Sequence, residues 1–202
     1  TATVKITGIG NYYGTITRNF QIVSAQNTPT PAPVSKTFKD AYNTYTVNKT
    51  GTSVTLKKPN SKVIITATIP SSVKANGKTY KVTAIAPNAF KNCRKLKQAT
   101  ISKNVSSIGS GAFQGCSSLR TLKIGSKVSS IGAKAFYDCK ALTSVTIQSK
   151  KLTSVSVGKS AFAKAGRNNY KKLMVKVPKS RLSAYKKLLK AKGLSSKTKV
   201  TK

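Results

Sequence analysis

The sequence has no histidine, no glutamate and no tryptophan, and its acids are only Asp40 and Asp138 against 38 lysines and arginines in 202 residues. Without histidine there is no imidazole to serve as a general base or as the middle member of a nucleophile triad. Glycoside hydrolysis by paired carboxylates needs two acids flanking one bond, and these two lie in different parts of the chain. Serine–lysine pairs occur throughout, so no single pair carries information. The residue inventory therefore reads as that of a non-enzyme, with no catalytic residues, no cofactor and no metal site. No run of 18 apolar residues exists, so nothing in the sequence is expected to span a membrane.

What is abundant is lysine. The formal charge is +36, and arginine contributes only Arg18, Arg94, Arg120, Arg167 and Arg181. Lysine presents a hydrated point charge, whereas arginine grips phosphate or carboxylate with a planar fork. A lysine-rich solvated surface is the plain reading, yet lysine enrichment alone would not remove the acids. So large an imbalance attracts polyanions at low salt and weakens as the Debye length shrinks. Sequence-specific nucleic-acid binding is not expected, because no recognition helix, finger or arginine-rich basic region is present.

The middle of the chain repeats with a period of 23 residues. Ile85, Ala89, Phe90, Cys93, Leu96 and Ile101 recur as Ile108, Ala112, Phe113, Cys116, Leu119 and Ile124, and again as Ile131, Ala135, Phe136, Cys139, Leu142 and Ile147. Self-similarity at this length predicts a solenoid in which each repeat buries its apolar edge against the next. Each repeat holds two short strands with a turn-rich stretch between them, whose phenylalanine is expected to plug the interior. Cys93, Cys116 and Cys139 fall one repeat apart, with no paired CxxC spacing and no histidine. Stacked repeats would hold them about 4.8 Å apart. Buried free thiols fit this better than a metal cluster or a structural disulfide.

The flanks divide into segments. Residues 1–24 contain two strand patterns, 2–7 and 15–22, around a Gly/Asn-rich connection. Residues 25–35 carry Pro29, Pro31 and Pro33 and read as an extended linker. Residues 36–81 show short strands at 42–47, 53–56 and 63–69, then an Asn76-Gly77 hairpin signal leading into 79–82. This segment is expected to cap the solenoid at 82–178. In 179–202, Leu182, Tyr185, Leu188 and Leu189 share one helical face opposite Lys186, Lys187, Lys190 and Lys192, and Gly193 stops the helix. A helix covering the last repeat fits the narrow apolar face better than a cationic helix lying on a membrane. The fold class expected is mainly β with short turns and helices: a solenoid of about four 23-residue repeats, a β N-terminal cap and a C-terminal capping helix. Because the chain opens at Thr1 inside a strand pattern, it reads as a fragment of a longer, processed protein.

The string Ile-Gly-x-x-Ala-Phe-x-x-Cys-x-x-Leu-x-x-Leu-x-Ile, seen at 108–124 and in closely related form at 131–147, resembles the BspA-like leucine-rich repeat family of bacterial cell-surface proteins. The first copy departs from it at Ala86-Pro87. The last keeps Val157, Gly158, Ala161 and Phe162 but has no cysteine and inserts residues 166–169. Residues 4–22 resemble the last two strands of bacterial immunoglobulin-like modules, which would make 1–24 the tail of a stalk module. The resemblance implies a secreted or cell-surface adhesion module, monomeric as a fragment, that attaches to host or matrix protein or glycan. A different reading is retention on an anionic polymer such as teichoic acid, sulfated glycan or extracellular DNA.

The residues that alternate with the buried ones in the repeat strands form the candidate ligand-binding face. They are Gln98 and Thr100, Thr121 and Lys123, and Ser144 and Thr146. A row of small hydroxyls with an amide and a lysine can hydrogen-bond a sugar or a peptide; an ordinary solvated β face is the plainer alternative. No aromatic side chain interrupts the row, so stacking on sugars or bases is not expected.

Overall fold

The computed structural model describes residues 2–7, 15–20 and 37–202, with side chains described from 37 onward. The chain divides into two units, residues 1–35 and 36–202. In the first, β1 (Ala2–Thr7) and β2 (Thr15–Phe20) form an antiparallel pair running from Ala2 opposite Phe20 to Thr7 opposite Thr15. The expected connection between them and the proline linker lie outside the described residues.

The second unit is a two-sheet solenoid. It begins with β3 (Thr37–Lys39), β4 (Asn43–Val47) and β5 (Ser53–Pro59), joined in antiparallel order. Then come β6 (Thr66–Ile69), β7 (Ser72–Ala75) and β8 (Lys78–Ile85). Asn76 and Gly77 both have positive φ, 48° and 71°, the geometry a two-residue hairpin turn between β7 and β8 requires. From there each turn of the solenoid contributes a four-residue strand to one sheet and a two-residue strand to the other. These are β9 (Gln98–Ile101), β10 (Ser107–Ile108), β11 (Thr121–Ile124), β12 (Ser130–Ile131) and β13 (Ser144–Ile147). The chain closes with β14 (Met174–Lys176), α1 (Leu182–Ala191) and β15 (Lys199–Thr201).

The longer strands form a six-stranded parallel sheet ordered β15-β14-β13-β11-β9-β6. Its two end strands come from segments that the repeat pattern leaves outside the array. Strand β6 lies in 36–81, the segment read as cap, and β15 follows the helix in 179–202. Thus the ladder extends one strand further at each end than the 23-residue period indicates. The second sheet carries β12, β10 and β8 in parallel and continues through β5, β4 and β3, with β7 also paired to β8.

The core lies between the sheets and is built from columns of identical residues. Phe90, Phe113, Phe136 and Phe162 stack in sequence, with ring centroids 4.8, 5.5 and 5.2 Å apart and near-parallel planes. All four are buried, as are Leu96, Leu119, Leu142 and Leu173 beside them. In the strands, Ala99, Leu122 and Val145 point inward with Ile101, Ile124 and Ile147, as the two-residue alternation of a strand dictates.

One repeat position holds glycine for want of room. A Cβ on Gly109 would stand 2.4 Å from the backbone nitrogen of Pro87, on Gly132 2.3 Å from that of Ser110, and on Gly158 2.3 Å from that of Ala133. Each of these glycines rests on the turn before it. Ala86 is the equivalent residue of the first copy, where alanine stands in place of glycine.

Helix α1 covers the far end. Tyr185, Leu188 and Leu189 are buried, and the Tyr185 hydroxyl donates to the carbonyl oxygen of Ser149 at 3.0 Å while accepting from the Leu152 amide at 3.0 Å. Among the described residues no helix is long and apolar enough to cross a membrane.

Candidate functional site

The six-stranded sheet turns one side of each strand inward and leaves the other outward. Register places the six sequence-derived candidates in two rows. Gln98 pairs with Thr121 and Thr121 with Ser144; Thr100 pairs with Lys123 and Lys123 with Thr146. Adjacent parallel strands stand about 4.8 Å apart, so each row is a regular ladder of short polar groups. All six residues are exposed or half-buried.

The ladder is longer than the repeat pattern indicates. Thr66 and Thr68 of β6 extend the rows at one end. Met174 and Lys176 of β14, then Lys199 and Thr201 of β15, extend them at the other. These residues were not assigned to the rows from the sequence because β6 stands 32 positions before β9, β14 of the irregular last repeat stands 30 after β13, and β15 stands 25 after β14. A shorter signal was present: Ala67-Thr68-Ile69 repeats Ala99-Thr100-Ile101 letter for letter. The extended face carries hydroxyls, one amide, the ammonium groups of Lys123, Lys176 and Lys199, and a single apolar side chain, Met174, 40% exposed. Between β13 and β14 it dips into a depression of about 330 Å³ that Thr146, Gln148, Lys150 and Lys176 line.

Both acids are engaged elsewhere. Asp40 Oδ1 accepts from the amides of Tyr42 and Asn43 at 2.8 and 2.6 Å, and its Oδ2 accepts from the Tyr45 hydroxyl at 2.8 Å. Burial, followed by the Asp40 partner, raises the Tyr45 hydroxyl pKa well above its ordinary value. Asp138 stands 2.8 Å from Nε of Arg167. Neither carboxylate neutralises a lysine of the ladder face.

The cysteines are buried and unpaired. The Cys116 thiol donates to the carbonyl oxygen of Phe90 at 3.1 Å, and the Cys139 thiol to that of Phe113 at 3.2 Å. Desolvation by burial raises all three thiol pKa values, that of Cys116 to about 12. No cluster of three or more His, Cys, Asp or Glu able to hold a metal occurs among the described residues.

A family model for the BspA-type leucine-rich repeat region matches residues 83–189 in six copies. The chain belongs to the BspA-type leucine-rich repeat family. It is similar to a leucine-rich cell surface protein from Faecalibacterium prausnitzii A2-165, with 27% identity, a TM-score of 0.58, and coverage of 71% of this chain and 37% of that one. It is also similar to a leucine-rich repeat protein from Bacteroides capillosus, with 32% identity, a TM-score of 0.51, and coverage of 58% and 88%. The Treponema pallidum leucine-rich repeat protein, 21% identical with a TM-score of 0.55 over 69% and 71% of the two chains, shares the fold. This chain thus spans a little over a third of the F. prausnitzii protein it matches. No curated protein sequence matches it. Membership of the BspA-type family supports reading the solenoid as a repeat-based binding module.

Proposed function

We propose that this chain is a non-enzymatic binding module of a secreted or cell-surface bacterial protein, and that the outward face of its six-stranded sheet is what it presents. The observation that carries this reading is the register of that sheet. It aligns Gln98, Thr121 and Ser144 in one row and Thr100, Lys123 and Thr146 in the next, with no carboxylate among them. Such a face offers many modest hydrogen bonds to a host or matrix protein or glycan, and affinity grows with the length of ladder engaged. The strand pair within 1–24 is read as the tail of an immunoglobulin-like stalk module, with 25–35 as a linker.

The test is a binding screen of immobilised chain against mucin, matrix proteins and a glycan panel. Saturable binding that weakens when Thr121 and Lys123 are both replaced by Ala supports an adhesive face. Absence of saturable binding to any of them removes the adhesion reading.

The charge favours a second reading, retention on an anionic polymer such as teichoic acid, sulfated glycan or extracellular DNA. It is supported by Lys150 and Lys176 together lining the depression beside Thr146, and by both acids being occupied away from it. Binding of this kind falls steeply between about 50 and 200 mM salt. Salt-insensitive affinity returns the argument to specific hydrogen bonding on the ladder.

A further inference from the structure

Strand β6 ends the six-stranded sheet, and among the described residues its outer edge has no partner strand. In a parallel ladder successive residues direct their backbone groups to opposite sides. Ile65 accepts from the amides of Lys97 and Gln98 on the β9 side, so the N–H and C=O of Thr66 and Thr68 face away from β9. No charge, proline or bulge interrupts Thr66–Ile69, the devices that ordinarily blunt an exposed edge. The opposite edge, β15, is three residues long and carries Lys199.

Beside this open edge lies a cavity of about 470 Å³ with a mainly apolar lining. Thr66 and Thr68 line it from β6, Pro59 from β5, Tyr42 from the bend between β3 and β4, and Phe90 from the core. It exists because the first turn is short. Ten positions separate Leu56 from Thr66, whereas thirteen separate Ile85 from Gln98, the residues paired with them, and the shorter turn contains no phenylalanine. Ile64 packs only partly against the core there. Tyr42, Val63 and Ile65, at or next to the cavity in sequence, are 77, 66 and 58% exposed, three of the five large apolar side chains left so open among the described residues.

The geometry points to a second binding site, in which an extended acidic peptide adds to β6 as a seventh strand and seats one large apolar or aromatic side chain in the cavity. Main-chain hydrogen bonds give such a strand its affinity, and the pocket for alternate side chains gives it selectivity. Charge selects the partner: Lys57, Lys58 and Lys62 are exposed on the adjoining chain, and Asp40 is already held by three hydrogen bonds. A second copy of a chain with charge +36 is the wrong partner for this edge.

Because the protein has no tryptophan, a peptide carrying one reports on its own burial. The probe is a short peptide of alternating Thr and Val with one central Trp and Asp at both ends, titrated at physiological salt. Saturable blue-shifted indole emission is expected, with Kd raised about tenfold or more by Thr68→Pro, which removes one outward N–H, and by Ser61→Phe, which fills the cavity. The same peptide with Ala in place of Trp should compete about tenfold less well. Hydrogen exchange of the Thr66 and Thr68 amides keeps the test open if Thr68→Pro fails to fold: protection on adding peptide supports the site, and unchanged exchange overturns it. Equal affinity for both variants and both peptides overturns it too, because lysine attraction alone then suffices. Self-association of the free protein that Thr68→Pro abolishes also overturns it, since a second copy then occupies the edge.

Discussion

The thiol of Cys116 donates a hydrogen bond to the carbonyl oxygen of Phe90, one turn back along the solenoid and 3.1 Å away. Cys139 makes the same contact to Phe113. The cysteine column therefore does more than fill space: it ties the knob-bearing turn of one repeat to that of the next. Thiol-reactive probes at neutral pH should label none of the three cysteines in the native protein and all three in denaturant. Labelling of native Cys116 at an ordinary thiol rate would contradict its burial.

The same burial gives stability a pH dependence. The native thiol pKa values are raised above those of the unfolded chain, so the unfolded state loses its protons first as pH rises. The stabilisation from keeping these thiols neutral is complete below the ordinary thiol pKa and is lost progressively above it. For Cys116 that window runs from about 9 to about 12, with a limiting slope of about 1.4 kcal/mol per pH unit for each thiol. Urea midpoints measured from pH 7 to pH 10.5 should fall more steeply for the wild type than for Cys116→Ala. Parallel curves would remove the thiols from the alkaline transition.

Phe113→Ala should destabilise the solenoid by about 3–5 kcal/mol, because a buried ring with neighbours on both faces leaves a cavity that cannot fill. Phe90→Ala should cost less. Phe90 has a ring neighbour on one side only and borders the open cavity at the N-terminal end, so water can enter the space it leaves. Urea denaturation of the two variants decides the order. Equal losses would mean that the column is not the unit of stability.

Much of this fold was legible in the sequence because a solenoid writes its contacts at constant spacing. The Phe, Cys and Leu columns needed only the 23-residue period, and the helix face needed only Leu182, Tyr185, Leu188 and Leu189. The ends were harder, since stacking constrains geometry rather than residue number. Strands β6 and β15 join the sheet through turns of other lengths, β6 with the β7–β8 hairpin between it and β9 and β15 with α1 between it and β14, so the period passed over them. Three residues of each ladder row could be assigned from alternation, but Thr66, Lys176 and Lys199 belong to it only by pairing. The cavity beside β6 has no sequence signature beyond a phenylalanine that is not there.

Gly132→Ala should cost more than Gly77→Ala, although both replace glycine with the smallest side chain. At Gly77 the added methyl meets open space and the penalty is the positive φ of 71°, about 1 kcal/mol. At Gly132 the Cβ would stand 2.3 Å from the Ser110 backbone nitrogen, an atom that cannot move without parting two turns. A loss of about 2–3 kcal/mol is expected, within the range for overpacking a close contact. Thermal melts of the two variants, with Ala86→Gly as the reverse substitution at the equivalent position of the first 23-residue copy, decide between them.

Tyr185→Phe tests whether α1 is held as a lid on the last turn. The hydroxyl bridges Ser149 and Leu152, donating to one backbone and accepting from the other. Removing it leaves a buried carbonyl and a buried amide without this partner, a loss of about 1–3 kcal/mol. The ring itself stays, with Arg181 above it at 5.5 Å, so packing changes little. Because β15 follows the helix and, among the described residues, pairs only with β14, the loss should appear first as faster hydrogen exchange in β15 and α1. Exchange in β11 and the Phe113 turn should stay slow. Uniform acceleration along all the repeats would show instead that the solenoid opens as one cooperative unit and that the helix is no separate lid.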